Sequence, residues 1–153
     1  MDIVRRSRYL DRLIAFQDTD LIKIVTGIRR CGKSTLLDMM RDYLAQQGVP
    51  AERLLTFKME SLEYAGITDY LTFYRMVRER IDGIDHPYLF FDELQNVEGW
   101  EKAVNSLRVD LPCDIYVTGS NAFLLSSELA TLISGRYVEV CLLYTSPSPR
   151  DCS

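Results

Sequence analysis

Two glycines bracket the segment Gly27-Ile28-Arg29-Arg30-Cys31-Gly32-Lys33-Ser34, which joins the apolar run Leu21 to Gly27 to a stretch with helical periodicity. Few folds accommodate such a junction. A glycine loop between a buried strand and a helix N-terminus lets successive backbone N–H groups turn inward, where Cβ atoms would otherwise obstruct a bound group. The helix end adds a favourable field for negative charge, so the loop reads as a phosphate cradle. Its setting after a strand and before a helix is the context that makes the spacing of Gly27, Gly32, Lys33 and Ser34 meaningful.

The rest of the chain alternates in the same way. Leu36, Leu37, Met40, Tyr43 and Leu44 form one apolar stripe, stopped by Gly48 and Pro50. Leu54 to Met59 predicts a second strand, and Tyr70, Leu71, Tyr74, Val77 and Ile81 a helix ended by Gly83. Tyr88 to Phe91 predicts a third strand, Trp100, Val104 and Leu107 a helix face, and Ile115 to Gly119 a fourth strand. Leu124, Leu125, Leu129, Leu132 and Ile133 mark another helix, and Tyr137 to Val140 a fifth strand; a helix over about 5–17 precedes the whole. This alternation predicts an α/β domain around a parallel sheet, with ligands bound at the C-terminal strand ends.

Composition narrows the chemistry. Of 153 residues nearly half are apolar, enough for one compact core, and no apolar run is long enough to cross a bilayer. The N-terminus lacks the apolar stretch of a secretory signal, so a cytoplasmic location is expected. A net charge of −4 lends no support to nucleic-acid binding. Four scattered cysteines and the lone histidine, His86, indicate neither a disulfide framework nor a zinc site, so any metal must be held by oxygen. His86 reads as structural, and Trp100 as packing in the core or onto a partner.

Within the loop, the backbone of Gly27, Arg30, Cys31 and Gly32 is expected to wrap the phosphates, with the Arg29 and Arg30 side chains solvated or paired with acids. Lys33 would reach the β- and γ-phosphates, Ser34 would take one Mg²⁺ position, and Thr35 would help bind the α-phosphate. Asp92 and Glu93 close the third strand, where one carboxylate can serve Mg²⁺ and its neighbour can polarise an attacking water. Asp92 is assigned to the metal and Glu93 to the base; Gln95 reads as a surface residue, with contact with the site as the alternative. Thr118-Gly119-Ser120-Asn121 ends the fourth strand, so Ser120 and Asn121 can either sense the γ-phosphate or cap the next helix. Arg136, before the fifth strand, can be a finger reaching a neighbouring subunit's γ-phosphate or a local charge partner.

GIRRCGKSTLL, YLFFDELQ, GWEKAVNSL and YVTGSNAFLLSSELATLISGRY together resemble the bacterial and archaeal AAA-type P-loop ATPases, over nearly all of residues 9 to 140. The resemblance implies an AAA+-like three-layer sandwich with a five-stranded parallel sheet in the order 5-1-4-3-2, ATP and Mg²⁺ as ligands, hydrolysis of the γ-phosphate, and a capacity to form homo-oligomers. A nucleotide-dependent switch or scaffold with negligible hydrolysis, acting on an unknown protein partner, is the rival reading. A small-molecule kinase is disfavoured by Glu93, which suits water as acceptor. In that family the last strand continues into a Leu-Pro-Leu-Ser-Phe type segment and a C-terminal region of poorly understood function. Here Cys141 to Asp151 instead resembles a transposase-end sequencing adapter read in frame, with a genuine Pro/Ser-rich disordered tail as the alternative. The expectation is therefore a core over 1–140 and a non-native, disordered tail over 141–153.

Overall fold

A computed structural model describes residues 3–27, 32–120, 133 and 135–142. In chain order the elements are α1 (Ile3–Ala15), β1 (Ile22–Gly27), α2 (Lys33–Gln46), β2 (Leu54–Lys58), α3 (Tyr70–Arg80), β3 (Tyr88–Asp92), α4 (Trp100–Asp110), β4 (Asp114–Gly119) and β5 (Tyr137–Leu142). Single 3₁₀ turns lie at Ala51–Arg53, Leu62–Tyr64 and Leu94–Asn96. The helix expected over 124–133 lies, apart from Ile133, outside the described residues.

All strand pairings are parallel, and the order β2-β3-β4-β1-β5 is the expected 5-1-4-3-2 read from the other edge. Strand alternation sorts the core into two layers. From β3, Leu89 and Phe91 face one side with Phe57, Phe73, Val77, Trp100, Val104 and Leu107, under α3 and α4. Tyr88 and Phe90 face the other with Leu13, Leu36, Leu37, Met40 and Leu44, under α1 and α2. Trp100 is therefore a core residue of the first layer. Because β3 is covered on both faces, its run of apolar residues is continuous rather than alternating with polar ones. Each fully buried Phe or Leu contributes about 1.5–3 kcal/mol of transfer free energy, which holds the helices to the sheet.

Helix starts fix where the strand ends point. Asp69 caps α3, its carboxylate accepting from the Leu71 and Thr72 N–H groups at 3.1 and 3.0 Å. Gly32 precedes α2 in the left-handed region, φ 98°, so the chain turns sharply from the loop into the helix.

β5 runs further than the sequence indicates. Cys141 and Leu142, assigned above to the tail, are its last two residues, pairing with Thr26 and Gly27 of β1. Val140 and Leu142 bury against the α1–α2 layer, and β1 offers hydrogen-bonding positions as far as Gly27, so pairing continues.

Candidate nucleotide site

The site is built from strand ends that share one edge of the sheet. β1 ends at Gly27, β3 at Asp92 and β4 at Gly119; β1 adjoins β4, and β4 adjoins β3. α2 starts at the same edge with Lys33, so Lys33 and Ser34 meet the two acids there.

Lys33 is buried, and its ammonium donates to the Gly27 carbonyl at 2.9 Å and lies 3.4 Å from Glu93 Oε1. Ser34 Oγ donates to Asp92 Oδ2 at 2.6 Å. The other Asp92 oxygen accepts from Thr118 Oγ1 at 2.6 Å, and that hydroxyl accepts from the Glu93 N–H at 2.8 Å. Asp92 is thus held from the helix side by Ser34 and from the sheet side by Thr118. Each of its oxygens accepts from one directional donor, which fixes the carboxylate plane.

Glu93 sits in the left-handed region, φ 58° and ψ 50°. A residue with a Cβ there is strained by about 1–2 kcal/mol. The twist ends β3 abruptly and swings the Glu93 side chain back toward Lys33, where an extended residue would carry it along the strand.

The expected residues come together unevenly. Gly27, Gly32, Lys33, Ser34, Asp92 and Glu93 converge as described. Thr35 is exposed one position further along α2, and Ser120 is half-buried just past β4. Arg30, Cys31 and Asn121 lie outside the described residues. Arg136 sits at the other end of the sheet, its carbonyl accepting from the Ile22 N–H at 2.9 Å. The length of β1 separates it from Gly27, roughly 17 Å at the usual strand rise, so within one chain Arg136 is not part of this site.

Two contacts go beyond the roles assigned from the sequence. Of the two readings of Gln95, the contact with the site holds: it is half-buried, and its Nε2 donates to Glu93 Oε2 at 2.7 Å. The 3₁₀ turn that follows Glu93 brings position 95 back over position 93. Thr118 belongs to the site, because the β3–β4 register pairs Phe91 with Val117 and so sets Asp92 beside Thr118. Sheet order combined with register would have revealed it.

Chemically, one buried ammonium faces the Glu93 carboxylate, and a hydroxyl donates to the carboxylate of neighbouring Asp92. The Ser34 and Asp92 oxygens fit Mg²⁺, which takes one or two protein oxygens and completes its shell with phosphate and water. Among the described residues no cluster of three His, Cys, Asp or Glu side chains could cage a metal without such help. No described helix is long and apolar enough to cross a membrane.

Comparison with known proteins agrees with this geometry. An uncharacterized protein of Haemophilus influenzae is 50% identical over 139 residues, covering 90% of this chain and 35% of that protein. The chain spans about a third of the length of the curated relatives it matches. Among solved structures, a DNA polymerase III gamma subunit-related protein from Thermotoga maritima superposes with a TM-score of 0.59 at 12% identity, covering 93% of this chain and 46% of that one. AMPPCP-bound DnaA from Aquifex aeolicus superposes with a TM-score of 0.57 at 16% identity, covering 92% and 47%. These two share the fold. Residues 19–147 match the family described as AAA domain, and with more than half of its length so matched, the chain belongs to that family of P-loop nucleotide-binding domains.

Proposed function

We propose that this chain is the Mg²⁺-dependent ATP-hydrolysing core of a larger AAA protein. The observation that carries the reading is the convergence of Lys33, Ser34, Asp92 and Glu93 at one sheet edge, with Glu93 Oε1 placed 3.4 Å from the Lys33 ammonium. The likeness to AMPPCP-bound DnaA supports a nucleotide triphosphate as ligand through the shared fold.

Lys33 and the loop N–H groups stabilise negative charge on the β- and γ-phosphates. Ser34 and Asp92 would hold Mg²⁺, which supplies further neutralisation of the phosphate oxygens. A water oxygen forms the new bond to the γ-phosphorus as the bond to the ADP oxygen breaks, and Glu93 accepts the proton that the water loses. Thr118 holds the Glu93 backbone and the Asp92 carboxylate in one geometry. A finger role for Arg136 is consistent only with a neighbouring copy's site, given its position at the far end of the sheet.

The test uses the full-length protein and Mg²⁺-dependent release of phosphate from ATP. Glu93→Gln is expected to lower turnover by about 10²–10⁴-fold while ATP still binds, and Lys33→Ala to abolish binding. Turnover that survives Glu93→Gln sinks the base assignment. Tight ATP binding with negligible turnover in the wild type favours the switch reading instead.

A further inference from the structure

We propose that Gln95 is the positioning residue for the Glu93 carboxylate, holding Oε2 so that Oε1 is the oxygen that receives the proton from water. The inference rests on the hydrolysis reading above and adds a residue to it.

The two oxygens of Glu93 are held from opposite directions. Oε1 lies 3.4 Å from the Lys33 ammonium, and Oε2 accepts from Gln95 Nε2 at 2.7 Å. These contacts differ in permanence. Lys33 is the cation of the phosphate loop, and a phosphate chain draws it from the carboxylate. Gln95 belongs to a turn with its own anchors: Leu94 and Val97 are buried on either side, and the Val97 N–H donates to the Leu94 carbonyl at 3.0 Å. When Lys33 moves to phosphate, Gln95 stays. The carboxylate then keeps one fixed oxygen and offers the other.

A second observation separates Gln95 from an ordinary packing glutamine. Its Oε1 is buried and has no hydrogen-bond partner among the described residues. The amide cannot reverse to satisfy that oxygen, because its nitrogen must face the carboxylate. An orphaned buried acceptor is a cost that a purely structural side chain rarely carries. Beside the base, the orphaned oxygen marks an amide whose nitrogen is committed to the carboxylate. The left-handed turn at Glu93 is what makes this possible, since an extended backbone would point residues 93 and 95 along the same face without folding one over the other.

The experiment compares wild type, Gln95→Met and Glu93→Gln in the full-length protein, together with the double variant, by phosphate release and by binding of a fluorescent ATP analogue. Methionine keeps the volume and removes both the donor and the acceptor. The expected result is a kcat about tenfold lower in Gln95→Met, with KM and analogue affinity within about twofold of wild type. Adding Gln95→Met to Glu93→Gln should then cost nothing further, because the group being positioned is gone. Gln95→Glu, which sets a second carboxylate against Glu93, should lower kcat more than Gln95→Met does. A Gln95→Met turnover within about twofold of wild type, or the same fold loss in the Glu93→Gln background, overturns the proposal. Failure of the underlying reading shows in a different arm: a wild type without Mg²⁺-dependent phosphate release, or a Glu93→Gln variant that retains it, overturns hydrolysis by Glu93 and the Gln95 role together.

Discussion

The Thr118 hydroxyl donates to Asp92 Oδ1 at 2.6 Å and accepts from the Glu93 N–H at 2.8 Å, so a single oxygen on β4 ties together the two acids at the end of β3. Valine has the shape of threonine without either bond. Thr118→Val is expected to destabilise the domain by about 2–3 kcal/mol, since it leaves a carboxylate oxygen and an N–H without their partner. Turnover should fall with it, as Asp92 loses one of its two donors. Thr118→Ser keeps the hydroxyl and should retain most of both. Urea unfolding and phosphate release check the pair; equal behaviour of the valine and serine variants counts against a role for the hydroxyl.

Gly99 precedes α4 at φ +74°, and a Cβ placed there would lie 2.7 Å from Tyr70 Cδ1. Gly99→Ala therefore combines backbone strain of about 1–2 kcal/mol with displacement of the Tyr70 ring. Tyr70 is partly exposed and starts α3, so the ring can move, at the expense of its stacking with the Lys102 ammonium, 4.9 Å from the ring centroid. In the double variant Gly99→Ala/Tyr70→Ala the steric part should vanish and leave only the strain. A cycle of unfolding free energies measures this; strict additivity of the two substitutions would show that the ring is not what the new methyl meets.

Strand and helix positions were readable in the sequence because β3 is apolar up to Asp92 and the helices carry single stripes; the loop and the Asp92–Glu93 pair were readable because their chemistry is local. The order of the strands came from resemblance, as periodicity carries no information about neighbours. The partners of Thr118 and Gln95 were not readable for a related reason. The first depends on the register between β3 and β4, and the second on a left-handed residue that no local pattern at Glu93 announces, since glutamate has no preference for that region. Lys23 was hidden in the same way: it lies within an apolar strand, and its partner Asp114 stands 91 residues away.

That buried pair supplies a third prediction. Lys23 and Asp114 are fully buried and joined by a salt bridge, and Asp114 also accepts from the Tyr116 hydroxyl at 2.6 Å and the Asp18 N–H at 3.1 Å. Lys23→Met leaves a buried carboxylate facing no cation and should cost about 3–5 kcal/mol. Adding Asp114→Asn should recover part of that loss, because the amide removes the uncompensated charge and its oxygen still accepts from Tyr116 or Asp18. Unfolding free energies of the single and double variants test this. A double variant less stable than Lys23→Met alone would mean that Asp114 matters through its other hydrogen bonds more than through its charge.

The same end of the sheet predicts how the fold responds to alkali. Burial holds the Cys113 thiol protonated to about 12, against an ordinary value of 9.0, with the Asp114 charge adding to the effect. Burial and the hydrogen bond to Asp18 push the Tyr88 phenol up to about 12 from 10.0. Tyr116 is raised as well, first by burial and then by Asp114. Above the ordinary values the unfolded chain gives up these protons while the folded chain keeps them. The unfolded state then binds fewer protons, so the slope of stability with pH is negative. The stabilisation is fully present below about pH 9 and is lost progressively toward about pH 12. Urea midpoints taken from neutral pH upward should therefore hold until the thiol begins to titrate in the unfolded chain and then decline. Tyr116→Phe removes one of the three groups and should make the decline shallower, even if it lowers the midpoint at neutral pH by deleting the bond to Asp114. A decline of unchanged steepness in that variant would place the alkaline sensitivity elsewhere in the chain.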